Sequence, residues 1–206
     1  SKAFNYISYY ASTVAQYLSD GSAESLPDEL ILSLKKSAEL RYGENPHQGA
    51  ALYSRSGARP WGVNAATLLY GRPLAFNHYL TLDRAVDLVG EFSRPATAIV
   101  KFSNPAGAAV ADRPGEAARL AYAADPVGCT GGVAAFNREV DAEAARVLAA
   151  ETVECVAAPD FTGEALDALR AKKDVRLVRL PSLLLSAREV DMKTVAQATI
   201  REQSLL

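Results

Sequence analysis

The stretch that decides the fold is residues 131–180, GGVAAFNREVDAEAARVLAAETVECVAAPDFTGEALDALRAKKDVRLVRL. Three short segments (131–136, 153–158 and 175–180) predict strands, and the segments between them (141–150 and 163–170) predict helices. Strands that alternate with short helices indicate an α/β layer with crossover connections. The sequence therefore predicts an α/β domain.

The same alternation continues toward the N-terminus. Residues 96–102, ATAIVKF, are apolar and β-rich, and so predict another buried strand. Helices are predicted over 81–92 and 115–124, and a short strand over 51–53. No internal repeat, heptad or low-complexity tract interrupts this single α/β domain.

The first fifty residues do not show this strand–helix alternation and predict a helical entry segment. Apolar residues at helical spacing predict a helix over 4–18, followed by a turn at 20–22. A second helix is predicted after Pro27, with Leu30, Ile31 and Leu34 on its buried face and Lys35-Lys36 near its end. The polar stretch 41–49 predicts a loop. In the tail, 183–185 (Leu-Leu-Leu) could close the sheet or pack on a partner.

Composition excludes several classes of protein. Apolar residues make up 49% and charged residues 22% of the 206 positions, and the net charge is −2. These values argue against disorder and against a nucleic-acid or membrane partner. The chain starts at Ser1 without a signal segment, so we expect a cytoplasmic protein that is either processed or a fragment.

Metal and disulfide chemistry is not expected either. The two cysteines, Cys129 and Cys155, lie far apart, and we expect two reduced, buried thiols. The only histidines are His47 and His78, too few for a histidine-rich metal site. No dinucleotide, P-loop or hydrolase motif is present.

Three polar segments are candidates for chemistry. The first is residues 40–48, LRYGENPHQ, whose Arg41 guanidinium is suited to binding a phosphate. The alternative is that this segment is only the C-terminus of a helix, capped by Gly43 and followed by a turn at Asn45-Pro46. Residues 100–107, VKFSNPAG, run from a strand into a polar turn and then a helix, where ligands and anions bind; Lys101 there is a functional cation or a solvated strand end. Residues 125–132 contain paired glycines that permit a ligand approach or a tight turn.

Taken together, these segments resemble the AICAR formyltransferase/IMP cyclohydrolase family, whose LRYGxNPHQ pattern is intact at 40–48. The family's Lys-His-x-Asn-Pro-Cys-Gly pattern appears as 101–107, KFSNPAG. Further matches cover nearly the whole chain in order: Phe76-Asn77, Asp125-Pro126-Val127, Gly131-Gly132 and Ala158-Pro159.

The resemblance implies a cytidine-deaminase-like, three-layer α/β/α fold with a helical N-terminal segment. Residues 1–206 would form one formyltransferase-type subdomain, the first of two in the family, without a cyclohydrolase domain. Within it, 1–48 would be the entry segment and nucleotide-binding loop, and 49–206 the α/β layer. A homodimer, or a second chain carrying the missing half, is the implied assembly.

The resemblance also implies a reaction and its residues. The family passes a formyl group from 10-formyltetrahydrofolate, a cosubstrate, to the amine of AICAR, a purine-precursor nucleotide, without a metal. Lys101 matches the catalytic lysine. The substrate-binding residues would be Arg41 (on the phosphate), Tyr42, His47, Asn77, Asn104 and Gly131.

The chain departs from the pattern where a base is needed. Phe102 stands in place of the family histidine, Ala106 in place of a cysteine, and 196–198 (Ala-Gln-Ala) in place of a Ser-Gly-Gly segment. General acid–base catalysis contributes about 10²–10⁴ in rate, so its loss is serious. His78 could replace the base, or could simply cap the helix that follows it.

Three functions therefore remain open at this point. The first is a formyltransferase that works alone or with a partner chain. The second is a catalytically impaired nucleotide-binding or assembly module, and the third is a transferase that acts on another amine. The intact loop at 40–48 favours nucleotide binding in each case.

Overall fold

The computed structural model describes residues 1–19, 31–55, 62–180, 190–195 and 198–203. The helices are α1 (Lys2–Ser19), α2 (Phe76–Gly90), α3 (Pro114–Ala124), α4 (Pro126–Cys129), α5 (Ala142–Ala150) and α6 (Gly163–Arg170), with a 3₁₀ helix at Gly62–Ala65. The strands are β1 (Leu34–Leu40), β2 (Ala50–Arg55), β3 (Thr67–Tyr70), β4 (Ala96–Lys101), β5 (Asn104–Val110), β6 (Gly132–Phe136), β7 (Val153–Ala158), β8 (Arg176–Arg179), β9 (Val190–Val195) and β10 (Ala198–Gln203).

Six of these strands form the central sheet, in the order β3-β8-β7-β6-β4-β5. β6, β7 and β8 are parallel, and α5 and α6 make the two crossovers between them, as the sequence predicts. Three strands run antiparallel to their neighbours: β3 to β8, β4 to β6, and β5 to β4. The sheet is therefore mixed: β5, β6, β7 and β8 run in one direction, and β3 and β4 run in the other.

Helices cover the sheet on both faces. α3, α5 and α6 pack on one face over residues such as Phe136 and Val156, and α2 packs on the other over Val133 and Ala157. All five residues of β6 are buried, because successive side chains point into opposite cores. This arrangement confirms the predicted three-layer α/β/α fold.

Two helix starts show why the predicted elements form. The Asp141 carboxylate accepts from the Ala144 N–H, and the Thr162 hydroxyl accepts from the Ala165 N–H. Such N-caps satisfy backbone donors that have no partner within the helix. α5 and α6 thus begin where the sequence places them.

The buried side chain of Asn137 fixes the start of β4 beside the end of β6. Its Oδ1 accepts from the Ala96 N–H at 2.8 Å, while its Nδ2 donates to the carbonyls of Phe92 and Arg94 at 2.7 and 2.8 Å. One amide therefore satisfies three backbone groups in the connection from α2 to β4. Since Asn137 directly follows β6, these bonds hold β4 antiparallel to that strand.

The N-terminal segment is only partly as predicted. α1 confirms the helix over 4–18, but large apolar residues on it stay exposed: Phe4, Tyr6, Ile7, Tyr10, Val14, Tyr17 and Leu18. The predicted second helix is wrong over the described residues 31–36, since 31–33 form no helix and β1 begins at Leu34 and pairs antiparallel with β2. Ile31 and Leu34, expected on a buried face, are exposed. Pairing with β2 outweighs local helix propensity here.

Two further boundaries differ. The helix expected directly after 100–107 is wrong, because β5 follows Lys101 as a hairpin and the next helix starts only at Pro114. α2 begins five residues earlier than predicted. The predicted turn at 20–22, residues 28–30 of the second helix, 183–185 and 196–197 lie outside the described residues. No helix within the described ranges is long and apolar enough to cross a membrane.

Asn137→Ala should lower the free energy of unfolding by about 2 kcal/mol, because the buried Ala96 N–H and two partly buried carbonyls lose their partner. Urea denaturation measures this loss. Asn64→Ala, exposed in the 3₁₀ helix, is the matched control and should change stability by less than about 0.5 kcal/mol. Equal stability of the two variants would contradict the role given to Asn137.

Candidate functional site

The polar segments gather at one edge of the sheet. β4 pairs with β6 from Thr97↔Phe136 to Val100↔Val133, so the end of β4 lies beside the start of β6. Lys101 is therefore at the carboxyl end of its own strand but at the amino ends of the parallel strands. The prediction that a helix N-terminus supplies an anion site after Lys101 is wrong, since no helix begins there.

Lys101 lies at the start of a tight turn. It pairs with Asn104, which leaves Phe102 and Ser103 as a two-residue loop with φ of 48° and 63°. Positive φ at both central residues is the pattern of a type I′ hairpin, normally occupied by Asn and Gly. The Asn104 Nδ2 donates to the Phe102 carbonyl at 3.0 Å and steadies the turn. The Lys101 ammonium lies 5.8 Å from the centroid of the Phe102 ring.

Phe102 is unusual at this turn in two ways. A bulky residue in the left-handed region is an outlier, whereas Asn, Asp and His tolerate it better. The residue is also 74% exposed, so burial does not offset the backbone strain. The turn thus holds an apolar ring in solvent at a position where local energetics disfavour it.

The paired glycines adjoin this hairpin. Gly131 has φ of 75°, and its N–H donates to the Thr152 carbonyl at 2.7 Å. A Cβ on Gly132 would lie 3.0 Å from Ile99 Cγ2 and 3.1 Å from the Val100 carbonyl. Gly131 therefore makes the tight turn, and Gly132 permits the close approach of β4 and β6.

The loop at 41–49 joins β1 to β2 and is closed by its own hydrogen bonds. The Gly43 N–H donates to the Gln48 carbonyl at 2.8 Å, and the Gln48 N–H donates to the Asn45 carbonyl at 3.0 Å. The expected turn at Asn45-Pro46 is confirmed. The alternative that Gly43 caps a helix is wrong, because a strand precedes it.

This loop reaches the start of α2. The Asn77 Nδ2 donates to the Glu44 carbonyl at 3.4 Å. Arg41 is exposed, with its guanidinium 5.8 Å from the centroid of the Tyr42 ring, and it forms no ion pair with any described residue. His47 is exposed in the same loop. An unpaired Arg beside an aromatic ring is available to a phosphate.

His78 caps α2. Its Nδ1 accepts from the Ala75 N–H at 3.1 Å, so the ring proton of the neutral imidazole is on Nε2. Burial, aided by the nearby Arg176 cation, lowers the pKa of His78 to about 4. One nitrogen is thus engaged and the other protonated, which favours the capping interpretation over a general base.

Sequence reasoning missed the residues around His78. Glu154 Oε2 lies 3.7 Å from His78 Nε2, beyond hydrogen-bonding distance, and Arg176 is charged beside it. Burial and the Arg176 cation lower the pKa of His78 to about 4, so this contact is not an ion pair at neutral pH. The one available signal was a charged residue near the start of an otherwise apolar strand, as in 153–158.

A chain of contacts connects the β1–β2 loop, the first turn of α2 and the glycine turn along one edge of the sheet. Glu44 bonds to Asn77, and the adjacent His78 lies beside Glu154. A Cβ on Gly131 would be 3.9 Å from Glu154 Oε1, and the next residue, Gly132, abuts the end of β4 before Lys101. The structure thus brings the loop at 41–48, the start of α2, the glycine turn and the hairpin to the same side.

Cys129 and Cys155 are not available as nucleophiles. Both are free and buried, as predicted, and burial raises the pKa of each thiol. Neutral thiols of this kind are poor nucleophiles. Among the residues that the structure describes, no group of three or more His, Cys, Asp or Glu could hold a metal ion.

Comparison with known proteins agrees with the motifs. A model of the AICARFT/IMPCHase bienzyme family matches residues 1–204. The bifunctional purine biosynthesis protein PurH of Halalkalibacterium halodurans is 40% identical over 181 residues, covering 88% of this chain and 35% of that protein. The PurH proteins of Ruminiclostridium cellulolyticum and Sorangium cellulosum are 40% and 39% identical over 95% and 98% of this chain. The chain spans 35–41% of the length of these relatives.

Phe102→Asn and Phe102→Gly should each raise the free energy of unfolding by about 1 kcal/mol, because both residues adopt positive φ more readily than Phe. Phe102→Ala is the control: it removes the ring but keeps the Cβ that makes this conformation costly. Denaturant unfolding compares the three. A gain for Ala equal to that for Gly would show that the turn is not strained.

His78 should make stability depend on pH. Because its pKa is lower in the folded than in the unfolded chain, protonation favours unfolding as pH falls from about 6.5 toward 4. The loss should reach about 2 kcal/mol at pH 4, less than the full shift implies, since solvent screens the site. His78→Asn should flatten this part of the profile; an unchanged profile would contradict the assignment.

Proposed function

Because the chain belongs to the AICARFT/IMPCHase bienzyme family, we propose that it acts in formyl transfer from 10-formyltetrahydrofolate to the amine of AICAR. One observation carries the proposal: the loop at 41–48 and the Lys101 hairpin lie at the same edge of the sheet, linked through Asn77 and Glu154. Such convergence of two separate motifs is what a shared ligand requires.

The nucleotide would be held mainly by the loop. Arg41 offers two N–H groups to the phosphate, and its position beside Tyr42 leaves the guanidinium exposed. His47, Asn77, Asn104 and Gly131 would contact the rest of the nucleotide. These assignments follow the family pattern, and the exposed or edge positions of the residues support them.

The reaction sets what the site must supply. The amine nitrogen attacks the formyl carbon, a C–N bond forms, and the bond from that carbon to N10 of the folate breaks. The amine proton leaves through a base and finally reaches N10, while negative charge develops on the formyl oxygen. The Lys101 ammonium would stabilise that oxygen.

The amine proton needs an acceptor, and neither residue considered for that role is available. Phe102 cannot accept a proton, and His78 has one nitrogen engaged in the cap of α2 and the other protonated. This observation favours a second candidate function, a nucleotide-binding or assembly module that retains the loop without rapid turnover.

Assembly bears on both candidates. We propose that residues 1–206 act as one formyltransferase-type subdomain, and that a second copy or a chain carrying the second subdomain completes the folate side of the site. The exposed apolar residues of α1 and the span of the match, about two fifths or less of each relative, support this view.

A formyl-transfer assay tests the proposal. The full chain is mixed with AICAR and 10-formyltetrahydrofolate, and release of tetrahydrofolate is followed by absorbance. Turnover should be slow, and Phe102→His should raise it by about 10²-fold, because it returns a base to the hairpin. Lys101→Ala should abolish it, whereas Arg146→Ala, which removes an exposed cation from α5 on the face of the sheet opposite α2, should not.

The outcomes separate the candidates. The chain is a binding module if neither the parent chain nor Phe102→His turns over and if AICAR binding requires Arg41. Turnover that survives Lys101→Ala would contradict the role proposed for that lysine.

A further inference from the structure

The exposed ring of Phe102 has no structural role among the described residues. The residue is 74% exposed, and the Lys101 ammonium lies 5.8 Å from the centroid of its ring. Stability would favour Asn or Gly at this turn. A strained, exposed aromatic residue at a ligand edge suggests a function for the ring itself.

The surroundings fit a planar ligand. The hairpin register and the bond from Asn104 to the Phe102 carbonyl fix the backbone of the turn beside Lys101. The Lys101 cation can bind an anionic or electron-rich group while the neighbouring phenyl face covers a ring. Stacking on an aromatic face depends little on the ring's hydrogen-bonding groups.

We propose that Phe102 binds the planar heteroaromatic ring of a substrate by stacking, so that this position binds a ring instead of transferring a proton. The inference rests on the proposed function, because the rings in question are the aminoimidazole carboxamide of the nucleotide and the pterin of the folate. Both share the chemistry that a phenyl face recognises. Phe102 is therefore a ring-binding residue.

Calorimetric titration with paired probes tests this inference. AICAR is compared with ribose 5-phosphate, which lacks the ring, and folic acid with p-aminobenzoylglutamate, which lacks the pterin. Phe102→Leu keeps an apolar side chain on the same backbone without the aromatic face, and Phe102→Tyr keeps the face. Circular dichroism and sedimentation check that each variant is folded and has an unchanged oligomeric state.

Phe102→Leu should weaken binding of AICAR or of folic acid by about tenfold and leave the corresponding ring-free probe unchanged. Phe102→Tyr should stay within about twofold of the parent chain. The ligand whose affinity falls identifies which ring is stacked.

Other results would overturn the inference in distinguishable ways. If AICAR and ribose 5-phosphate bind but Phe102→Leu changes neither ring-containing ligand, the stacking role fails while the proposed function stands. If neither nucleotide nor folate probes bind, both fail. If Phe102→Leu alters sedimentation and leaves ring binding intact, Phe102 is an interface residue between chains.

Discussion

The antiparallel pairing of β4 with β6 is the constraint on which the site depends. In a parallel arrangement, the end of β4 would lie with the carboxyl ends of β6, β7 and β8, at the opposite edge. Reversal brings Lys101 to the end of the sheet that carries the glycine turn before β6, and Gly131 of that turn lies near Glu154 at the start of β7. Asn137 stabilises this pairing from the far end, through three backbone hydrogen bonds.

The same pairing explains how distant sequence segments meet. α2 lies on the face of β4 and β6 and ends near Asn137, so its first turn lies at the Lys101 edge. Asn77 and His78 are in that first turn, and Asn77 binds the Glu44 carbonyl of the β1–β2 loop. The loop is thus joined to the sheet through α2.

The charged and titratable groups at this edge differ in their availability to a ligand. Arg41 and Lys101 are cations that remain available, whereas His78 is neutral because burial and Arg176 oppose its protonation. The hairpin keeps a strained aromatic residue in solvent next to Lys101. Such a site is suited to binding an anionic, planar ligand, and neither Phe102 nor His78 is available in it as a base.

Much of the fold could be predicted from local pattern. β4, β6 and β7 are mostly apolar segments and β8 has a buried Leu177-Val178 centre, and Asp141 and Thr162 provide the caps of α5 and α6. β5 escaped prediction because Asn-Pro-Ala-Gly has low strand propensity and becomes a strand only by pairing with β4. β1 was missed for the same reason.

The residues of the candidate site could be predicted from sequence motifs, but their positions relative to one another could not. The strings at 40–48 and 101–107 identified Arg41 and Lys101 from sequence. The contacts of His78 with Glu154 and Arg176 join positions about 75 to 100 residues apart, and no local pattern encodes them. Which edge of the sheet carries Lys101 also depends on strand direction, a property of the pairing alone.

Chemical-shift mapping of the ¹⁵N-labelled chain with AICAR tests the location of the site most directly. The account predicts shifts concentrated at the loop (41–48), the start of α2, the hairpin at 101–104 and Gly131, all at one edge. Shifts concentrated instead at the carboxyl ends of β6, β7 and β8, around Asn137, Pro159 and Leu180, would contradict it. An unchanged spectrum at saturating AICAR would contradict it equally.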